Sequence, residues 1–328
     1  MTFLNDNVLL AAVALVLEAA CDYPAPLQRR IGHPVQWLGA WIAALERALN
    51  RPERSVRTRS ILGGCALVLI LAVAVLPAVF LQSALRRLVP PLGANMLLAL
   101  PAAALLASRS LFAHVGAVVE ARRREGLAGA RAAVSHIVGR NPQSLDAAGV
   151  MRAAIESLAE NFSDAVVAPA LWCALLGLPG IALYKAANTA DSMLGHRTER
   201  LAAFGWAAAR FDDLINLPAS RLAALWLTLA ALFTPHASAR AACRAAWRDA
   251  SRHRSPNAGW PEAATAGALG LSLAGPRVYG ETLVEDAWMG NGRKEANSSD
   301  VLRALALTRR AALLQIIVVA ALAMIARG

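Results

Sequence analysis

Glu156–Arg221, ESLAENFSDAVVAPALWCALLGLPGIALYKAANTADSMLGHRTERLAAFGWAAARFDDLINLPASR, is the stretch on which the reading of this chain turns. It interleaves apolar runs with carboxylates, amides, arginines and one lysine. Glu156, Glu160 and Asp164 recur every four residues, so a helix would project all three carboxylates from one face. Three like charges on a face repel, and such a face calls for a bound cation or a ring of arginines. Downstream come Lys185, Asn188, Asp191 and Ser192, then Arg210 with Asp212 and Asp213, then Asn216. All of them flank segments apolar enough for a bilayer, where polar groups are costly and point to a site.

The remainder of the chain supplies the membrane setting. With 57% hydrophobic residues in 328 and a mean hydropathy of +0.45, the chain is too apolar for an ordinary soluble protein. The expected fold class is all-α, a polytopic integral membrane protein treated as a single domain over 1–328. The net charge of +11 resides in loops between apolar runs, which favours the headgroups of a lipid bilayer over nucleic acid as a partner. Only Lys185 and Lys294 are lysine. Cys21, Cys65, Cys173 and Cys243 lie far apart without a CxxC spacing, so reduced thiols are expected. The run 8–20 lacks a basic leader and reads as a retained anchor.

Apolar segments fall at 8–21, 61–81, 95–111, 165–184, 222–233 and 313–325. The segment 61–81 is the cleanest span, 21 residues without a charge. Pro34 to Asn50 has the pattern of an amphipathic helix with Trp37 and Trp41 on its apolar stripe. Both long basic segments, 28–59 and 109–152, fall on one side, which the positive-inside tendency makes cytoplasmic. The segment 165–184 is interrupted by Pro169, Gly177, Pro179 and Gly180, and 222–233 is half a bilayer long. Broken or re-entrant helices around a polar chamber open to the cytoplasm are therefore expected. Ser144 is the expected cap of a helix from Asp146 to about Asp164. The polar segment 234–310 should form cytoplasmic helical segments, with 286–299 loop-like and a short final helix over 313–325. Within it, Arg254-Ser255-Pro256-Asn257-Ala258-Gly259-Trp260-Pro261-Glu262 reads as a loop with Pro261 at the first position of a helix, its free backbone N–H groups and neighbouring arginines making a phosphate seat. Glu262 opposes that seat unless a cation intervenes.

Clustered acids with Asn and Ser at helical spacing suit Mg2+, a hard cation that takes oxygen ligands together with substrate phosphate. Arg197, Arg210 and Arg221 suit phosphate or carboxylate recognition through their planar forks. The competing explanation is a buried salt-bridge network between packed helices.

Four separated blocks then carry a resemblance: Glu156 to Pro169 (ESLAENFSDAVVAP), Tyr184 to Gly195 (YKAANTADSMLG), Phe204 to Asn216 (FGWAAARFDDLIN) and Ser255 to Glu262 (SPNAGWPE). With His33-Pro34 and Gly39 ahead of them, they resemble the signature blocks of the CobD/CbiB family, the adenosylcobinamide-phosphate synthases of cobalamin biosynthesis, over nearly the whole chain. The resemblance implies an ATP-dependent amide ligase, multi-pass in the bacterial inner membrane, that joins the propionate of adenosylcobyric acid to aminopropanol phosphate or aminopropanol. It implies ATP and Mg2+ as cofactors. A homo-oligomer, or association with other cobalamin-assembly enzymes, goes with that class. For such chemistry Glu156, Glu160, Asp164 and Asp191 would handle metal and phosphate. Asp212 or Asp213 would be the base for the incoming ammonium, and Lys185, Arg197 and Arg210 would stabilise phosphoryl or oxyanion charge. Asn188, Ser192, Asn216, Arg221, Arg254, Ser255, Asn257 and Glu262 complete the expected substrate- and phosphate-binding set. Two other readings are a Mg2+-dependent intramembrane prenyl or alcohol-phosphate transferase and a non-catalytic corrinoid-binding scaffold.

Overall fold

A computed structural model of the chain describes residues 2–21, 23–138, 142–196, 198–279 and 282–325. Helices dominate: α1 (Thr2–Ala20), α2 (Ala25–Ile31), α3 (Pro34–Leu49), α4 (Val56–Leu88), α5 (Pro91–Ala103), α6 (Ser108–Val134) and α7 (Ala147–Phe162). A π-helical turn, Ser163–Val167, leads into α8 (Ala168–Leu176), α9 (Leu178–Leu194), α10 (Trp206–Ala231), α11 (Ala239–Asp249), α12 (Gly259–Leu269) and α13 (Ser298–Ile325). The only strands among the described residues are two short antiparallel pairs: β1 (Leu273–Ala274) with β4 (Trp288–Met289), and β2 (Arg277–Tyr279) with β3 (Thr282–Val284). Among the described residues, four stretches are long and apolar enough to cross a membrane: α4, the stretch Pro91–Val134 that holds α5 and α6, α10 and α13. This is the architecture of a polytopic helical membrane protein.

The chain divides into two compact units, residues 1–106, 168–216 and 318–328 in one, and 107–167 and 217–317 in the other. In the first, Ile42 and Leu45 of α3, Ala66, Leu67 and Ile70 of α4, Ala186, Ala190 and Leu194 of α9, and Phe204 and Ala208 pack into one core. Small residues set the spacing. A Cβ on Gly63 would lie 1.9 Å from the Phe204 carbonyl oxygen, so α4 touches that backbone directly, whereas a Cβ on the adjacent Gly64 would meet nothing within 4 Å. The chain between α9 and α10 is tied to the same core. Arg200 forks onto Glu46 at 3.0 and 2.6 Å, and Asn50 donates to both Glu46 (2.8 Å) and the Arg200 carbonyl (3.0 Å). Burial works against the Glu46 charge, but these hydrogen bonds prevail and hold its carboxyl below the usual range.

The break expected within 165–184 is present, and its polar groups are accounted for. Pro169 has no N–H to give the Ala165 carbonyl, which instead accepts from the Ala107 N–H at 3.1 Å. At Gly177, φ is +74°, a conformation that suits glycine. There Gln82 accepts from the Leu178 N–H (2.8 Å), and Asn7 donates to the Leu175 carbonyl (3.1 Å). Away from water such a break survives only when its backbone groups find partners of this kind.

Several boundaries differ from the sequence reading. The segment 95–111 is divided between α5 and α6 at residues 104–107. The half-span 222–233 is the second half of α10, which runs unbroken through Pro218 from Trp206. A proline deletes one intrahelical bond but does not end a helix held by packing on both sides. The final helix begins at Ser298, absorbing part of the segment read as loop. The cap of α7 is Asp146, which accepts from the Gly149 N–H at 2.6 Å, rather than Ser144. Pro261 occupies the third position of α12, not the first.

The N-terminal end of α3 is capped by a histidine. His33 Nδ1 accepts from the Val35 N–H (3.3 Å), while the His33 N–H donates to Gln36 (2.9 Å). Burial first, and then the Lys185 ammonium, push the His33 imidazole below its ordinary value. The unfolded chain therefore takes up this proton more readily than the folded one, so stability rises with pH through the window just below 6.5 and is lost on acidification. Melting in detergent should show a lower midpoint at pH 5.5 than at pH 7.5, at about the half-unit resolution of a buffer series. His33→Asn, which keeps a capping acceptor without a proton to gain, should flatten that dependence; an unchanged slope would remove His33 as its cause.

Candidate active site

In the first unit, the face of α9 bearing Tyr184, Asn188 and Asp191 meets the start of α10, where Asp212 and Asn216 share a face one turn apart. Buried Tyr184 donates from its hydroxyl to Asn216 Oδ1 (2.9 Å), which fixes the amide so that Asn216 Nδ2 donates to Asp212 Oδ2 (2.9 Å). Asn188 Nδ2 donates to Asp212 Oδ1 from 3.5 Å. Asp212 is thus a buried carboxylate with an amide donor on each oxygen. Asp213, next along α10, pairs with Arg210 at 3.2 Å, and the Arg210 side chain is more than half exposed. Burial first, and then the negative charge of Asp213, raise the Asp191 carboxyl above its usual range, against an opposing pull from His196. Ser192 is exposed and donates to the Asn188 carbonyl (2.8 Å), an ordinary helix back-bond. Arg197 lies outside the described residues.

The second unit holds Arg221, Arg254, Ser255, Asn257 and Glu262, at or beside the 255–262 loop, and the acids of α7. A single Arg221 nitrogen, Nη1, donates to Leu217 O, Ser220 Oγ, Pro256 O and Asn257 Oδ1 at 2.9–3.2 Å. The same guanidinium stacks 4.8 Å over the Trp260 ring. Arg221 and Asn257 therefore clasp this loop to α10. Ser255 Oγ accepts from the Asn257 and Ala258 N–H groups, and the Trp260 and Glu262 N–H groups bond to carbonyls of Asn257 and Ala258. The expected phosphate seat of outward backbone N–H groups is corrected by these bonds, which turn the donors inward. Buried Glu262 faces His253 Nε2 at 3.8 Å, and Arg254 pairs with Asp286 at 2.9 Å.

The carboxylate face of α7 is also divided. Glu156 is buried and accepts from the Ala274 N–H (2.7 Å), holding a residue whose φ is +58°. Glu160 is exposed, and Asp164 is half-buried in the π-helical turn. Steps of four residues advance 40° beyond a full turn each on an ideal α-helix of ~3.6 residues per turn, and the π turn adds to the drift. Among the described residues, no three His, Cys, Asp or Glu side chains converge closely enough to hold a metal ion by themselves.

Comparison with known proteins places the chain in a family. The family described as CobD/Cbib protein matches residues 11–308. The chain belongs to the CobD/CbiB family. It is 48% identical over 299 residues to a cobalamin biosynthesis protein CobD of Rhodobacter capsulatus, covering 91% of this chain and 92% of that one. It is 47% identical over 300 residues to that of Rhizobium meliloti, covering 90% of each, and 45% identical over 311 residues to that of Brucella suis, covering 92% of each. No solved structure matches. Within this CobD/CbiB chain the structure adds residues that sequence reasoning missed. Tyr184 closes the apolar run 165–184 and gave no signal apart from its hydroxyl. Asp249, buried and bound by Arg248 at 2.8 and 2.6 Å and by the Gly290 N–H at 2.8 Å, could have been found only through its position between Arg248 and Arg252.

Proposed function

We propose that this CobD/CbiB member is an adenosylcobinamide-phosphate synthase of the bacterial inner membrane, joining the propionate of adenosylcobyric acid to the amine of aminopropanol phosphate with ATP and Mg2+. A role in cobalamin biosynthesis is supported by relatives of that name along nine-tenths of the chain. The observation that carries the reading of the site is Asp212, a buried carboxylate held by Asn216 and Asn188 next to Asp213 and Asp191.

The donor chemistry fits the proposed cation. Mg2+ takes hard oxygen ligands and is commonly held by one or two carboxylates together with substrate phosphates, so no cage of three protein ligands is needed. Asp191 and Asp213, whose charges repel, would hold it. Bound ATP with Mg2+ would supply the activation that makes the unreactive propionate an acyl donor. Asp212 accepts the proton that the ammonium must lose before its nitrogen attacks the acyl carbon. Its two amide partners keep that carboxylate from rotating, so an oxygen edge stays aimed at the incoming amine. Arg210, exposed beside Asp213, would exchange that carboxylate for phosphoryl oxygens, and Lys185 would offset developing oxyanion charge.

Purified protein in detergent should release phosphate from ATP only when adenosylcobyric acid and the amine are both present, and product mass should identify the amine. Prenyl or alcohol-phosphate transfer without ATP, or corrinoid binding without amide formation, would overturn the ligase reading.

A further inference from the structure

We propose that the outward face of α11 is a docking surface for anionic phospholipid headgroups. Its inward face is settled: Ala242, Ala245, Ala246 and Asp249 are buried, and α11 packs on α12. The opposite face carries Arg240, Arg244 and Trp247 at successive turns, with Cys243 beside them, all exposed. Arg248 and Arg252 are engaged with Asp249, but among the described residues Arg240 and Arg244 have neither an ion pair nor a hydrogen bond. Two unneutralised guanidinium groups on one short helix suit a surface of phosphodiesters, to which planar forks bind bidentately.

Trp247 makes the complementary argument. Its side chain is three-quarters exposed, costly in water and favourable at the boundary between headgroups and acyl chains. An open depression of about 520 Å3, bounded by Cys243, Arg244, Trp247 and Arg248, lies on this face. Continuity points the same way. The candidate span α10 ends at Ala231, Leu232 and Phe233 follow with about two-thirds of their surface exposed, and α11 begins at Ala239. A basic helix with one exposed tryptophan just beyond the end of a span is the pattern of a helix lying in the interfacial plane. Trp247 also stands edge-on to Trp260, 5.4 Å between centroids, and Trp260 carries Arg221 on its ring. Headgroup contact is thereby joined to the clasp on the 255–262 loop.

The test follows the reactivity of Cys243 and not turnover, so it fails independently of the ligase reading. Full-length protein with Cys21→Ser and Cys65→Ser, leaving Cys173 buried, is placed in nanodiscs of phosphatidylcholine alone or with phosphatidylglycerol and labelled with an uncharged polyethylene glycol maleimide. Labelling of Cys243 should slow by about tenfold in the anionic discs, as expected for two arginines at a charged surface. Arg240→Gln with Arg244→Gln should erase the difference. Equal rates in the two discs overturn the proposal, and that comparison needs no arginine variant to fold. Equal protection by soluble glycerol phosphate assigns the face to a free anion and overturns it. Protection in native membranes but in neither nanodisc assigns the face to a protein partner and overturns it as well.

Discussion

Asp212→Asn is expected to lower kcat by about two to four powers of ten, the range for loss of a general base. KM for the amine should move far less, because the substitution leaves the size and position of the side chain almost unchanged. A structural cost accompanies it. Both oxygens of Asp212 accept from amide donors, Asn216 at 2.9 Å and Asn188 at 3.5 Å, so an asparagine must turn its own NH2 toward a donor whichever way it flips. A buried donor without an acceptor costs ~1–3 kcal/mol, enough to lower the yield of folded protein without accounting for the loss of turnover. Activity must therefore be expressed per folded molecule, measured by ATP-coupled ligation beside a melting curve. Turnover within about tenfold of the wild type would place the proton acceptor elsewhere.

The second large effect is on folding, at one of two adjacent glycines. Gly63→Ala sets a methyl group 1.9 Å from the Phe204 carbonyl oxygen, far inside an ordinary carbon–oxygen contact, with backbone on both sides and no flexible side chain to yield. Overpacking of that severity should cost about 3 kcal/mol or more, the upper end for inserted methylenes. It acts by prising α4 away from the chain that precedes α10. Gly64→Ala, one residue on with nothing within 4 Å, should be neutral or stabilising by up to about 1 kcal/mol, since alanine is the better helix former. Thermal unfolding of the pair in detergent decides it. Equal midpoints would show that α4 does not make the backbone contact with Phe204.

How far the sequence could be read depended on whether a feature lives within one helix or between helices. The 21 charge-free residues of 61–81 needed nothing but their own composition, and they lie within α4 as expected. The interrupted segment at 165–184 was legible because proline and glycine act locally, although Gln82 and Asn7, which make the break tenable, could not be inferred. The half-span 222–233 looked too short because Arg210, Asp212, Asp213, Asn216 and Pro218 stand ahead of it, yet they lie on the same helix, where Asn216 donates to Asp212 along α10. The acids at 156, 160 and 164 recur at four-residue steps, but that spacing did not show that they diverge around the helix or what each one contacts. Glu156 finds its partner at Ala274, 118 residues away, and serves a strained backbone. Arg221 and Asn257 were singled out for phosphate, and the contacts they make, which hold a loop to α10, could not be read from spacing.

The direction of the bonds around Asp212 limits where its proton can go. Tyr184 donates to Asn216, Asn216 donates to Asp212, and Asn188 donates to Asp212. Unlike a water or an imidazole, a carboxamide cannot pick up a hydrogen on one side and release it on the other. The carboxylate is therefore insulated on both flanks, a terminus and not part of a relay. On the proposed ligase reading, a proton gained from the amine has to leave by a path that neither amide supplies, so the step that returns it to solvent falls to a group outside this trio.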